Sequence, residues 1–205
     1  MNTRIVLLLM VLIGVGIHSA RAQYFDKYYG VGPAVSVPLS NRSYIDNVST
    51  RAGRFFYREL INEHVAAGID VSFAGYNDYI PPAVYQSQNQ AIFTDFYNYT
   101  DHAGLALAGE YLFRPDKKLI PYVGLAGGAS YTRLRLYYNI YSNKDTKWSG
   151  MVRPYGGAMV RFGTKTSWGA FAHASFEHAF LNAPDYDYKG LSALAFQIGF
   201  VYLNW

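Results

Sequence analysis

Apolar and polar residues alternate at every second position through eight segments of this chain. Side chains of a β-strand point to opposite faces in turn, so this period predicts strands with one apolar and one polar face. Each segment reaches the roughly 9 to 11 residues that a tilted membrane strand needs. The segments are Tyr28 to Leu39, Arg51 to Leu60, His64 to Asn77, Asp101 to Phe113, Pro121 to Asn139, Met151 to Phe162, Trp168 to Leu181 and Leu191 to Leu203.

The connections between these segments alternate between short and long. The short ones are Ile61 to Glu63, Arg114 to Ile120 and Gly163 to Ser167. The long ones are Leu39 to Thr50, Asp78 to Thr100, Ile140 to Gly150 and Asn182 to Gly190. Short turns at one end and long polar loops at the other are typical of an outer-membrane barrel with both termini on the short-turn side. Within 78–100, Ala83 to Phe96 leaves two options, a hairpin projecting beyond the membrane or two further strands of a ten-stranded barrel.

The size of the side chains indicates which face is inside. In 64–73 the odd positions are mostly bulky and apolar, whereas the even positions carry Gly, Ala, Ser and single charges. A narrow lumen accepts only small residues, so the bulky face should meet lipid. A soluble lipocalin-like carrier would place its bulky side chains inside. The prediction is a closed antiparallel eight-stranded transmembrane β-barrel.

The N-terminus resembles a secretory signal peptide. Arg4 precedes an apolar run from Ile5 to Ile17, and Ala20 and Ala22 form a cleavage site before Gln23. The run is shorter than the roughly 20 residues of a membrane-spanning helix. We therefore expect a signal peptide over 1–22, cleavage near Ala22, and a barrel domain over 23–205. The net charge of +4 includes two leader arginines, and the small remainder argues against a nucleic-acid partner.

Charges on the inner face can be paired across neighbouring strands. A turn centred on Asn62 places Arg54 opposite Asp70, and a turn centred on Lys165 places Arg153 opposite Glu177. Buried charges are tolerated when they are paired, so we predict two lumen ion pairs, with Arg58, Glu110 and Arg161 completing a polar plug. In the segment from Pro121, a bulge at Gly127 and Gly128 and a position of Arg133 and Arg135 above the membrane are further expectations.

Three stretches carry a further pattern, and they are Tyr29 to Pro33, Ile120 to Gly128 and Gln197 to Tyr202. In these stretches the chain resembles the small porin-like outer-membrane barrels of the OmpA and OmpX type, in the form common in Bacteroidetes. The resemblance implies outer-membrane lipid, lipopolysaccharide and the barrel-assembly machinery as partners. It also implies an assembly signal in the last strand, formed by Phe200, Tyr202 and Trp205. Trp205 is out of register by one with the other two, which implies a bulge near Leu203 or a signal that ends at Tyr202.

His173, Ser175 and Glu177 share one strand face and are the weak catalytic candidates. The stretch resembles the His-x-Ser-Asn signature of PagL-type lipid A deacylases, but Phe176 stands where that family has Asn. Same-face neighbours stand about 6 to 7 Å apart, too far for direct hydrogen bonds, so a role in the lumen plug is preferred over an enzyme. No cofactor or metal is expected, because His173 and His178 have opposite parity.

Aromatic residues suggest two further roles. Those near the short turns are predicted to form an interfacial girdle, and they are Trp168, Tyr111, Phe113, Tyr122 and Phe162. Those in the long loops either bind a protein partner or pack on one another, and they are Tyr76, Tyr79, Tyr85, Tyr97, Tyr99, Tyr186 and Tyr188. The preferred function is a structural or binding role through the outer loops or as a subunit of an envelope complex. A narrow channel and a lipid A deacylase are the alternatives.

Overall fold

The computed structural model describes residues 25–87, 90–163, 166–184 and 188–204. They form one closed antiparallel barrel in which each strand pairs with its neighbours in sequence and β1 closes on β8. The eight predicted strands are thus confirmed. They are β1 Lys27–Pro38, β2 Ser49–Leu60, β3 Val65–Ser87, β4 Gln90–Leu112, β5 Leu119–Tyr138, β6 Tyr141–Arg161, β7 Trp168–Ala183 and β8 Tyr188–Asn204. Within the described residues, no helix has the length and apolar character needed to cross a membrane.

The outer surface of the barrel is apolar around its circumference. Leu107 is 73% exposed, Ile198 68% and Phe73 59%. Leaving a large apolar side chain in water forgoes about 1.5 to 3 kcal/mol, so a continuous belt of them suits lipid. The residues between them on the same strands, such as Ala106 and Ala108, are buried in the lumen.

Aromatic pairs border this belt at both ends. Their ring centroids lie 5.0 to 5.3 Å apart, and the pairs are Tyr111 with Phe113 and Trp168 with Tyr202 at the short-turn end, and Tyr131 with Trp148 at the other. On β5, Pro121 is level with Phe113, whose amide donates to its carbonyl at 3.0 Å. The strand between Pro121 and Tyr131 spans about 25 Å along the barrel axis, at ~3.3 Å per residue and ~40° tilt. That is the height of a membrane-facing band.

The ten-stranded alternative is wrong. β3 and β4 stay paired from Val65↔Tyr111 to Ser87↔Gln90, with one shift of register between Ile80 and Ala83. The chain therefore prolongs two strands beyond the barrel and adds none. The predicted loop over 140–150 is also mostly strand, because Asn139 adopts a left-handed φ of 50° and closes a tight turn between β5 and β6.

Two expectations for β5 are corrected. Its pairing with β4 and β6 runs through Gly127 and Gly128 without a shift, so no bulge forms there. Tyr122, predicted to join the girdle, is 3% exposed and lies in the lumen. It shares the inward face of β5 with Ala126, and the glycine-rich alternation of this strand gave no clear indication of which face was inward.

Strands β3 to β6 continue as a four-stranded sheet beyond the barrel, here called the extension. It comprises Tyr76 to Ser87, Gln90 to Thr100, Leu134 to Tyr138 and Tyr141 to Asp145. Its inner face is covered by the β1–β2 loop, in which Tyr44 and Ile45 are buried. The Asn98 amide donates to the carbonyl of Tyr44 at 2.8 Å and fixes this loop on the sheet.

Candidate functional site

Arg58 is the centre of a buried polar network in the lumen. It is 1% exposed, its Nε donates to Glu110 Oε2 at 3.0 Å, and its Nη2 lies 2.6 Å from Asp70 Oδ1. The same Nη2 donates to the Tyr155 hydroxyl at 2.9 Å, which donates to Glu110 Oε2 at 3.0 Å. The Tyr28 hydroxyl also donates to Glu110. Every carboxylate in this layer thus has a charged or hydroxyl partner.

Asp70 links this layer to two further arginines. Its Oδ2 lies 3.5 Å from Arg54 Nη1 and 3.4 Å from Arg153 Nη1. The three guanidinium groups therefore converge on one carboxylate that is fully buried. A buried carboxylate is costly to desolvate, and the three nearby cations offset this cost.

The predicted register of the β2–β3 hairpin is wrong by two residues. Arg54 lies opposite Ser72, and Asp70 lies opposite Phe56. The turn is one residue longer than expected, because the Asn62 side chain accepts hydrogen bonds from the amides of His64 at 2.9 Å and Val65 at 2.8 Å. Arg54 and Asp70 still face the lumen together, and the long arginine side chain spans the diagonal.

The β6–β7 register places Arg153 across from Glu177, between the pairs Val152↔His178 and Tyr155↔Ser175. Arg153 Nε donates to Glu177 Oε2 at 2.7 Å. The other carboxylate oxygen lies 2.5 Å from His102 Nε2. Both oxygens of Glu177 are therefore occupied by side chains of other strands.

The weak catalytic candidates do not form a relay. Arg54 Nη2 lies 2.5 Å from His173 Nδ1, and the Tyr122 hydroxyl lies 3.3 Å from the same nitrogen. Within the described part of the chain, no hydrogen bond joins the Ser175 hydroxyl to His173 or Glu177. All three side chains face the lumen, away from the lipid belt.

The lumen is closed by this network. Three arginines meet three carboxylates, so the formal charge balances, and the six residues are Arg54, Arg58, Arg153, Asp70, Glu110 and Glu177. An edge-to-face aromatic pair, Phe56 and Phe171 with centroids 5.1 Å apart, packs within the network, where the Phe56 ring lies between Arg54 and Arg58. A cavity of about 40 Å³ beside His102 and Ser175 has room for only a few water molecules. Among the described residues, no three acidic or histidine side chains are grouped to hold a metal ion.

Arg161 lies apart from this network. Its Nη2 donates to the carbonyls of Asp116 and Lys117 at 2.9 and 2.8 Å and so ties β6 to the β4–β5 turn. It was expected in the plug, but the structure places it at the short-turn rim.

The outer face of the extension carries large exposed apolar and aromatic side chains. Phe93 is 70% exposed and pairs in the ladder with Val84, which is 60% exposed. Tyr79 and Tyr97 pair on the same face with ring centroids 4.7 Å apart, and both are more than 40% exposed. Together with Tyr99 these residues make an aromatic and apolar strip, here called the outer strip.

The loop tyrosines are divided between the two faces. Tyr76 and Tyr188 are buried, and Tyr76 bonds to Ser36 across 2.7 Å. Tyr79 and Tyr97 belong to the outer strip. The side chain of Tyr85 and the whole of Tyr186 lie outside the described residues, as do Lys165, the predicted 1–22 leader and Trp205.

The last strand presents Phe200 and Tyr202 outward at 60% and 37% exposure. Leu203 is buried, and the β1–β8 register runs through Tyr28↔Leu203 and Lys27↔Asn204 without a shift. The alternative of a bulge near Leu203 is therefore wrong.

A basic cluster lies on the outer surface one row beyond the Tyr131–Trp148 girdle. Asp101 lies opposite Arg133 in the ladder, and Tyr99 lies opposite Arg135. Arg135 Nη2 bonds Asp101 Oδ2 at 2.5 Å, and its guanidinium lies 5.3 Å from the centre of the Tyr99 ring.

Sequence reasoning missed several lumen residues. Tyr28, Tyr122, Tyr155 and His102 make network contacts that were not anticipated. Tyr155 shares the parity of Arg153, and Tyr28 shares that of Gly30. The position of these residues in the alternation could therefore have shown that they face inward. Their contacts with non-neighbouring strands depend on how the barrel closes and could not be predicted from the sequence.

The comparisons with known proteins identify the fold. The Ail protein of Yersinia pestis, solved in complex with the heparin analogue sucrose octasulfate, superposes with a TM-score of 0.53 at 13% identity, covering 88% of this chain and 100% of that one. Neisserial surface protein A gives 0.52 at 14% identity, covering 86% and 96%. No protein-family model and no curated protein sequence matches. The chain has the fold of the small eight-stranded outer-membrane barrels, as the OmpA and OmpX resemblance implied.

Proposed function

We propose that this protein is an integral outer-membrane barrel that binds a partner outside the cell through the outer strip. The lipid-like belt and the fold of the outer-membrane barrels support the location. In this proposal the signal peptide directs export, the barrel-assembly machinery reads Phe200 and Tyr202, and the long-hairpin end faces outward.

One observation carries the binding role. The inner face of the extension is packed by the β1–β2 loop, whereas Phe93, Val84, Tyr79 and Tyr97 remain exposed on the other face. Contiguous exposed apolar surface marks interaction sites, and tyrosine offers a large contact area at a low cost in side-chain entropy. If the extension served only to cover the mouth of the barrel, its outer face would not require large exposed apolar side chains.

The closed lumen argues for a structural role of the barrel. A channel would need a continuous water path, and the Arg58 and Glu110 layer fills the cross-section. An esterase would need its nucleophile to reach lipid, and Ser175 lies in the lumen, 7% exposed. We therefore propose that the protein is neither a channel nor an enzyme.

Site-specific photo-crosslinking in intact cells tests the binding role. A photoreactive residue at position 93 is expected to give a discrete high-mass adduct. The matched control is position 107, which is equally exposed but lies in the lipid belt. Absence of any adduct at positions 93 and 79, or the same adduct at position 107, would contradict the proposal.

A further inference from the structure

Beyond the girdle, a shallow groove crosses the outer surface of the barrel rim. It is lined by Arg51, Tyr97, Tyr99, Arg135 and Tyr137. Tyr99 and Tyr137 form its floor as an edge-to-face pair with centroids 5.8 Å apart. The groove therefore combines two guanidinium groups with tyrosine rings.

Gly75 gives Arg51 its access to this groove. Arg51 lies directly opposite Gly75 in the β2–β3 ladder, and a Cβ added at Gly75 would stand 3.6 Å from Arg51 Nη2. The guanidinium thus lies across the notch that the missing side chain leaves. Asp101 of β4 pairs with Gly75 on its other side and so continues the same row.

The charges around the groove do not balance. Four cations lie on neighbouring outward positions, and they are Arg51, Arg133, Arg135 and Lys144. Two carboxylates share this face, Asp101, which is bonded to Arg135, and Asp95, which is bonded to Tyr79. Within the described part of the chain, Arg51 forms no ion pair with a carboxylate. This rim therefore carries excess positive charge, in contrast to the balanced lumen.

The height of the groove indicates what neutralises it. The Tyr131–Trp148 pair marks the membrane interface, and Asp101 and Arg133 occupy the next outward row, at the level of the lipid headgroups. Arginine binds phosphate through two parallel hydrogen bonds, and basic pockets at this height bind anionic headgroups. Tyrosine hydroxyls supply further donors to phosphate oxygens.

We propose that this groove binds the phosphate of an outer-leaflet lipid headgroup, with Arg51 and Arg135 as its ligands. The inference rests on the proposed membrane orientation, because only then does the groove face the outer leaflet. It adds a lipid at the rim of the barrel, next to the partner expected at Phe93, and the two surfaces share Tyr97 and Tyr99.

The test is a lipid titration of the folded barrel in neutral detergent, followed by native mass spectrometry. The probe is lipid A carrying its phosphates, compared with the same lipid after enzymatic removal of phosphate. We expect the phosphorylated form to bind about tenfold more tightly, and Arg51→Gln with Arg135→Gln to remove that preference. Arg51→Lys with Arg135→Lys should restore part of it, because the point charge remains without the bidentate geometry.

Two further variants control for misfolding and for net charge. Arg42→Gln with Lys117→Gln removes two exposed cations that do not line the groove and should leave the affinity unchanged. Gly75→Leu fills the notch under Arg51 without removing a charge and should weaken binding severalfold. Each variant is used only if its gel mobility shifts on boiling, as a closed barrel requires.

Three results would overturn the proposal. These are equal binding of the dephosphorylated lipid, unchanged affinity in the Gln double variant, and displacement of the lipid by millimolar inorganic phosphate, which would identify a free-anion site. Because the titration uses purified protein, a lack of adducts at position 93 in cells would refute the surface partner and leave this result standing.

Discussion

The lumen and the outer rim of this barrel use the same residue types in opposite ways. In the lumen, three arginines are matched by three carboxylates, and the hydroxyls of Tyr28 and Tyr155 add hydrogen bonds to Glu110. On the rim, four cations share the outward face with two carboxylates, Asp95 and Asp101, and with exposed aromatic side chains. Paired charges stabilise the fold, whereas unpaired cations and exposed aromatic rings are available to bind a partner. Substitutions should therefore separate the two regions by what they change.

The largest effect is expected from removing the central arginine. Arg58→Met leaves Glu110 and Asp70 without their main partner and should cost about 3 to 5 kcal/mol of unfolding free energy, as for other broken buried pairs. Urea unfolding in detergent, followed by gel mobility, measures it. Adding Glu110→Gln should recover part of the loss. Lys27→Ala, which breaks an exposed bridge to Glu59, should change little, and an equal effect of both variants would contradict a special role for the lumen network.

A smaller effect is expected at the edge of the network. Glu177→Gln keeps the shape but weakens the bonds to Arg153 and His102, and should cost about 1.5 to 3 kcal/mol. Ser175→Ala is the matched control on the same strand face and should cost less.

The lipid A mass spectrum of cells carrying Ser175→Ala should equal that of the wild type. A spectrum that changes only with this variant would support the deacylase alternative.

Substitutions in the outer strip should leave stability unchanged. Phe93→Ser removes a large side chain that is 70% exposed, so the unfolding free energy should stay within about 0.5 kcal/mol. Cross-linking from position 79 should nevertheless decrease, because the partner surface is damaged. A stability loss like that of Arg58→Met would show instead that the strip packs on another part of the chain.

No current is expected through the wild-type barrel. In planar bilayers, single-channel steps should be absent, because the Arg58 layer and the Phe56–Phe171 pair close the cross-section. Regular steps that disappear with the heat-denatured protein would favour the narrow channel.

Alternation was enough to predict the architecture. Side-chain parity is a local property, so eight strands, the lipid-facing belt and the inward positions of Arg54, Asp70 and Glu177 followed from the sequence. The register of β2 with β3 did not follow, because it depends on how Asn62 binds two amides in the turn. For 83–96 the option of a projecting hairpin was right. The β6 part of the extension was expected as a loop, because this polar stretch lacks the apolar alternation that marked the other strands.

The side-chain contacts in the lumen were harder to predict than which residues face inward. Arg153 with Glu177 joins neighbouring strands, and a symmetric turn was enough to predict their alignment. Arg58 with Tyr155, and Tyr28 with Glu110, cross the lumen between strands far apart in sequence. Such contacts depend on the tilt and stagger of the closed barrel, which no single segment encodes.

The inside-outside assignment is tested most directly by a spin-label scan along β4. The chain contains no cysteine, so single cysteines can be placed at positions 104 to 109 and labelled in reconstituted membranes. We expect collision with oxygen to be high at positions 105, 107 and 109 and low at 104, 106 and 108, with little access for a water-soluble relaxation agent at any of them. High access of that agent at 105 and 107 would show that the apolar belt meets water and would contradict a membrane barrel.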